Sequence, residues 1–301
     1  MMETCYRKGL NIDQSPVTTA DLPSPSITWN SDSDVAESLA VMMQKERSVY
    51  KSCDYLKEIL VDDGVIDEED RTKMVDWCYS VVDICQLERE TVALAMEMVD
   101  RFLSNKSSTV AMDVRRDRIQ FQLLTLSALY ISIKISTKVA LGSDFFASIS
   151  RELYPVQEIE AMELVLLQGL SWCISAPTCV QMAHHILTLL ATHVTFEKST
   201  WAAILDEVEY QAELAVRDYH FVTQRPSTVA MAAIFNTVNR FGKHESQHES
   251  QAFVRAVLSI IKNAEFDSIE VILATRNKLY SVVYGQDDAE VTDDPDQWYL
   301  Y

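Results

Sequence analysis

Glycine and proline are scarce in this chain, 6 and 7 of 301 residues. So few backbone breakers, set among many Leu, Ala, Met and Glu, exclude a protein of short strands and tight turns and favour long helices. The same shortage leaves no phosphate-cradling loop: GxGxxG and the Walker pattern are absent, and so is the GxSxG nucleophile elbow. Basic side chains are few as well, 26 against 45 acidic ones, for a net charge of −19. Such a surface repels nucleic-acid phosphates and acidic lipid headgroups, so neither nucleic acid nor membrane is an expected partner, and a basic protein surface is the natural counterpart. The six cysteines, Cys5, Cys53, Cys78, Cys85, Cys173 and Cys179, include no CxxC pair. That argues against a zinc clamp or a dithiol redox centre and fits a reducing, intracellular compartment. No apolar run approaches the ~20 residues that span a bilayer, and the polar, charged N-terminus does not read as a secretory signal.

What is present is enough apolar surface, 48% of residues, to build real cores. Residues 1–34 carry Ser15-Pro16, Ser24-Pro25 and the polar run from Asn30 to Asp34, and read as a flexible tail. Residues 286–301, with Asp287, Asp288, Glu290, Asp293, Asp294 and Asp296 and no basic residue, read as a solvated acidic tail. Between them the 3.6-residue period predicts helices over 35–58, from the acidic link Asp62–Asp70 to about Val82, and over 89–103, 119–135, 144–150 and 156–171. Ala176-Pro177 breaks the pattern, and further helices are predicted over 177–191, 197–216, 226–241, 247–263 and 267–284. The expected architecture is all-α. An N-terminal helix precedes two groups of about five helices, in domains 35–175 and 176–285.

One motif points toward chemistry. His244-Glu-Ser-Gln-His248 matches the HExxH zinc signature, but its flanks are polar and no third ligand is indicated, so a solvated loop is expected and no metal or cofactor is assigned. His184 and His185 lie in an apolar helix with no acidic or cysteine partner nearby in sequence, and read as core or edge residues.

Misplaced charge is more informative. Glu163 shares the stripe of Ile159, Leu166 and Leu170, and Lys134 ends the most apolar helix; neither has an oppositely charged residue three or four positions away. Two half-buried charges on separate helices need partners. Either they pair with each other or reach solvent, or they serve the polar groups of an external partner. Arg71 and Asp100, in two apolar helices, suit a bidentate pair that locks those helices together.

Several phrases resemble the cyclin family. Arg71-Thr-Lys-Met-Val-Asp-Trp77 is similar to the family's MRAILVDW, and Val99-Asp-Arg-Phe-Leu-Ser104 to its DRFLS. Ile133-Lys134 and Met162–Leu170, followed by Trp172 and Ala176-Pro177-Thr178, resemble the third and fifth helices of the cyclin box. Tyr210–Tyr219 and Arg225–Ala233 resemble the second cyclin fold, the latter leaning toward the D-type. The resemblance spans roughly 35–284. It implies two tandem five-helix bundles and a non-catalytic subunit that forms a heterodimer with a cyclin-dependent kinase. It also implies that Lys134 and Glu163 contact the kinase, and that Arg71 and Asp100 form an internal salt bridge. Nuclear and cytoplasmic location and a cell-cycle role are the family expectation. A transcription-related adaptor or a helical scaffold without kinase activation is the alternative. The family's apolar docking patch corresponds here to Asp70, Lys73, Met74 and Trp77. Two of the four are charged, so apolar substrate docking there is expected to be degenerate. The LxCxE motif of the D-type is missing, and Arg7-Lys-Gly-Leu10 is only a minimal match to a degradation box.

Overall fold

Helix α5, Arg118–Ser136, is apolar almost all round, and the fold is organised about that fact. Its residues from Phe121 to Ile133 are buried with the single exception of Gln122. In length and composition this helix could cross a bilayer, longer than the sequence suggested, but its apolar surface is covered by neighbouring helices. The computed structural model describes residues 32–57, 65–194, 196–241, 253, 255–261 and 265–285. Among these, every regular element is helical.

In chain order, α1 is Asp32–Ser48, α2 Glu68–Ile84, α3 Glu90–Leu103 and α4 Thr109–Arg115, followed by α5. Then come α6 Ser143–Ile149, α7 Val156–Gly169, α8 Cys179–Leu190, α9 Lys198–Arg217, a 3₁₀ turn Tyr219–Thr223, α10 Pro226–Phe241 and α11 Ile269–Tyr284, with residues 255–261 also helical. Local chemistry sets many of these ends. Asp67 and Asp70 form a reciprocal capping box that starts α2, and Asp117 accepts from the backbone N–H of Ile119 at 2.8 Å to start α5. Ser108 and Thr178 cap α4 and α8 in the same way.

Two differences from the sequence expectation have physical causes. The first helix stops at Ser48 rather than running to residue 58. Beyond it, backbone and side chains are recruited by distant elements. Cys53 N donates to Ser104 Oγ at 2.8 Å, Leu56 N donates to the Tyr219 hydroxyl at 3.0 Å, and the fully buried Tyr55 donates to Asp100 at 2.8 Å. The short α4 was not anticipated, although Ser108 as cap with Ala111 and Val114 buried on one face carries its signal.

Two apolar cores result. The first gathers Val75, Val82, Val92, Val99, Phe102, Leu124, Leu129, Ile133, Phe146, Ile159 and Leu166 from α2, α3, α5, α6 and α7. The second gathers Met182, Ile186, Leu190, Ile204, Val208, Met231, Phe235, Val257, Ile272 and Leu279 from α8 to α11, and Leu39 and Met43 of α1 join it. Each large aliphatic side chain so buried contributes about 1.5–3 kcal/mol against exposure. Helix α1 is also held by a polar contact. Glu46, wholly buried, accepts from Ser227 N at 3.0 Å and from Ser227 Oγ at 2.5 Å, acting as a cap for the distant N-terminus of α10. Burial raises the Glu46 carboxyl above its usual range, with the Ser227 hydrogen bonds opposing the shift.

Candidate functional site: the α5–α7 edge

Lys134 sits in the last turn of α5, where a cation favours the helix dipole. Glu163 projects from the middle of α7, a helix that begins after Pro155. The packing of α5 on α7 through Ile133, Ile159 and Leu166 brings the two charges together. Lys134 Nζ donates to Glu163 Oε1 at 2.6 Å, although 29 residues separate them. The ammonium also stands 4.5 Å from the centre of the Tyr130 ring. The lysine side chain is 44% exposed and the glutamate 16%. Partial burial works against the Lys134 charge, but the Glu163 carboxylate and Tyr130 outweigh it and hold the ammonium above its ordinary range. The pair is therefore formed, and its cation still faces solvent.

Apolar side chains are exposed beside it in sequence: Ile135 next to Lys134, and Leu164 next to Glu163. Past the end of α7, Trp172 is 62% exposed. Its backbone takes a positive φ of 61°, and its N–H returns to Leu167 O at 2.8 Å. Holding a tryptophan in the left-handed region with its ring in water is unfavourable in isolation. From sequence, Ile135 and Leu164 carried no role, although each stands directly after one of the two charged residues, and Trp172 entered only as part of a resembling phrase.

Arg71 and Asp100 are joined across α2 and α3. Nε lies 2.9 Å from Oδ1, and Nη2 lies 2.7 Å from Oδ2. Their side chains are only 3% and 8% exposed. Tyr55 also donates to Asp100, and Arg71 Nη1 donates to Val216 O of α9 at 2.8 Å, so the pair ties α2 to α9 as well. Burial opposes the Arg71 charge, and Asp100 more than offsets it, keeping the guanidinium raised.

The patch positions on α2 are occupied by charge or packed inward. Asp70 accepts from Arg118 Nε at 2.6 Å, and exposed Lys73 pairs with Glu69 at 2.7 Å. Met74 and Trp77 are half-buried against the first core. One reading needs correction: His184 does have an acidic neighbour, since α9 brings Glu209 Oε1 to 3.6 Å from its Nε2, an exposed contact that α8 by itself could not reveal. The HExxH run at 244–248, the Ser-Pro sites, Arg7–Leu10 and the acidic stretch 286–301 lie outside the described residues. Among the described residues no three His, Cys, Asp or Glu side chains converge as metal ligands would.

The described residues form a helical bundle with one central apolar helix, a buried Arg–Asp lock and a charged pair at the α5–α7 edge, and comparison with known proteins shows what it resembles. Residues 37–175 match the family model described as "Cyclin, N-terminal domain". Over 168 residues the chain is 31% identical to "G2/mitotic-specific cyclin-A1" of Caenorhabditis elegans, covering 56% of this chain and 31% of that protein. It is 30% identical over 216 residues to "Cyclin-A3-2" of Oryza sativa subsp. japonica, covering 70% of this chain and 52% of that one. The chain thus spans about a third to a half of the length of these relatives. The X-ray structure of a viral cyclin from herpesvirus saimiri superposes with a TM-score of 0.57 at 13% identity, covering 83% of this chain and 97% of that one, a likeness of fold. Residues 37–175 thus resemble the N-terminal domain of cyclins, and the fold resembles that of a viral cyclin.

Proposed function

We propose that this chain is a regulatory subunit that binds a cyclin-dependent protein kinase and activates it, with a role in cell-cycle control. The observation that carries the reading is the Lys134–Glu163 pair, formed at 2.6 Å on a solvent-facing edge where two helices of a cyclin N-terminal domain converge. In this reading the kinase's αC helix docks along α5 and α7. Lys134 and Glu163 offer donor and acceptor to its backbone and polar side chains, and Ile135, Leu164 and Trp172 lose their exposed apolar surface to the contact. Trp172 adds the largest apolar area of the three, the kind of anchor that dominates interface energetics. Holding αC inward lets the kinase's own Lys–Glu ion pair and activation loop reach working geometry. The subunit performs no phosphoryl transfer itself. An interface of this kind buries about 1,600 Å².

The division near residue 175 into two cyclin-type bundles belongs to the same proposal, as does a location in nucleus and cytoplasm; the tail expected over 1–34 stops short of that bound, because α1 already begins at Asp32. The relatives reported above are A-type cyclins, and they give the D-type leaning of residues 225–233 no support. Co-expression with a panel of cyclin-dependent kinases, followed by co-purification and peptide phosphorylation, tests the proposal. Retention of a kinase with raised activity is expected; a chain that retains none of them overturns it.

A further inference from the structure

Tyr130 stands one turn before Lys134 on α5, the spacing at which two side chains share a helix face. Tyr130 is buried, and its ring is wedged against α6: the Phe146 ring lies 5.1 Å away, centre to centre, at a tilt of 53°. Phe146 is wholly buried in turn and meets Phe145 edge-on at 5.4 Å. Aromatic packing from a second helix therefore fixes where the Tyr130 ring lies. The Lys134 ammonium stands 4.5 Å from the centre of that ring, and one of its N–H groups donates to Glu163 Oε1 at 2.6 Å. Lysine has a long, flexible stem, and a half-exposed ion pair alone contributes too little to hold such a side chain in one geometry. Here a ring seated by α5 and α6 and a carboxylate from α7 hold the charge from two sides.

We propose that Tyr130 is a positioning residue for kinase binding: its ring holds the Lys134 ammonium beside Glu163 before the kinase arrives, so that the charge is offered in one orientation. This inference rests on the kinase-binding reading above and deepens it. A side chain that must be ordered on association costs affinity, and one already ordered does not. The attraction comes from the negative face of the aromatic ring, so phenylalanine at this position does the same work. Leucine keeps apolar contact with Phe146 but presents no such face to the cation.

Two measurements test it. In the free full-length chain labelled with carbon-13 lysine, the ε-methylene protons of Lys134 are expected upfield of those of the other lysines, shifted by the ring current, with Lys134→Arg assigning the signal. Tyr130→Phe should retain that displacement and Tyr130→Leu abolish it. Calorimetric titration with the cyclin-dependent kinase retained in co-purification then reads the consequence. Tyr130→Leu is expected to weaken binding at least about threefold, the order of cost of one side chain ordered on association, and Tyr130→Phe to stay within about twofold of wild type. In a Lys134→Ala chain, Tyr130→Leu should cost no further affinity, because no ammonium remains to be positioned; a merely structural tyrosine would cost as much in either background. If Tyr130→Leu fails to fold, Tyr130→Met, an adaptable filler without a ring, takes its place with the same expectations. No upfield signal in wild type, a smaller loss of affinity than threefold, or an equal loss with and without Lys134 overturns the proposal. A wild-type chain that binds no kinase overturns the kinase-binding reading, and the positioning role falls with it.

Discussion

Gly169 in the last turn of α7 backs directly onto the ring of Phe102 in α3: a Cβ placed on the glycine would lie 2.5 Å from Phe102 Cε2. Phe102 is buried in the first core, and Gly169 sits on the helix that carries Glu163. The absence of a side chain at 169 therefore sets how closely α7 approaches α3, and with it the seat of Glu163 beside Lys134.

Gly169→Ala is expected to force the ring or the helix aside and to destabilise by about 1–3 kcal/mol, the usual cost of overpacking a tight core contact. Urea denaturation reads this directly. A variant as stable as wild type would show that the contact yields freely and positions nothing.

Lys134→Ala with Glu163→Ala should leave the fold nearly intact, because a half-exposed ion pair contributes about 0–1 kcal/mol. Far-UV circular dichroism and a melting curve should match wild type closely, while retention of the partner kinase falls at least tenfold. Unfolding of the double variant would reassign the pair to a structural role.

Arg71→Ala removes one half of a buried bidentate pair and leaves Asp100 with an uncompensated charge, so a loss of about 3–5 kcal/mol is expected. Exchanging both residues for apolar ones of similar volume should cost less, because no lone charge remains buried. Chemical denaturation of the two variants decides it. Equal stability of wild type and the alanine variant would remove the lock from the account.

Stability should carry a pH signature from Glu97. Its folded-state value is raised from 4.5 to about 7 by burial, so the folded chain holds this proton more tightly than the unfolded chain. The resulting stabilisation is fully present below pH 4.5 and is lost as pH rises through about 7. It amounts to something on the order of 3 kcal/mol at most. Glu97→Gln removes it, so wild type minus variant should fall across that window. A difference curve flat from pH 5 to 8 contradicts the burial argument.

The helices were legible because their signals are local. The apolar run of α5, the Pro-initiated α10 and the acid-capped α2 all announce themselves within a dozen residues. The end of α1 was not legible, because Cys53, Tyr55 and Leu56 find their partners at Ser104, Asp100 and Tyr219, far along the chain. The D-type leaning rested on one short phrase in α10, and the similarity to A-type cyclins extends over 168 to 216 residues, a far longer basis. Lys134 and Glu163 stood out as charges without neighbours of opposite sign on their own helices. That flagged each of them and left open whether they would meet.

By itself, then, the sequence determined an all-helical chain with strong acidity, few breakers and a set of charged residues in apolar stripes. Such properties depend on composition and on spacing within one helix turn. Only the tertiary structure decided that Lys134 and Glu163 stand 2.6 Å apart with the lysine still facing water, and that Arg71 fastens α2 to both α3 and α9. Each of these is a distance between elements remote in sequence, set by how apolar faces pack, and side-chain packing has no period that a linear pattern could display.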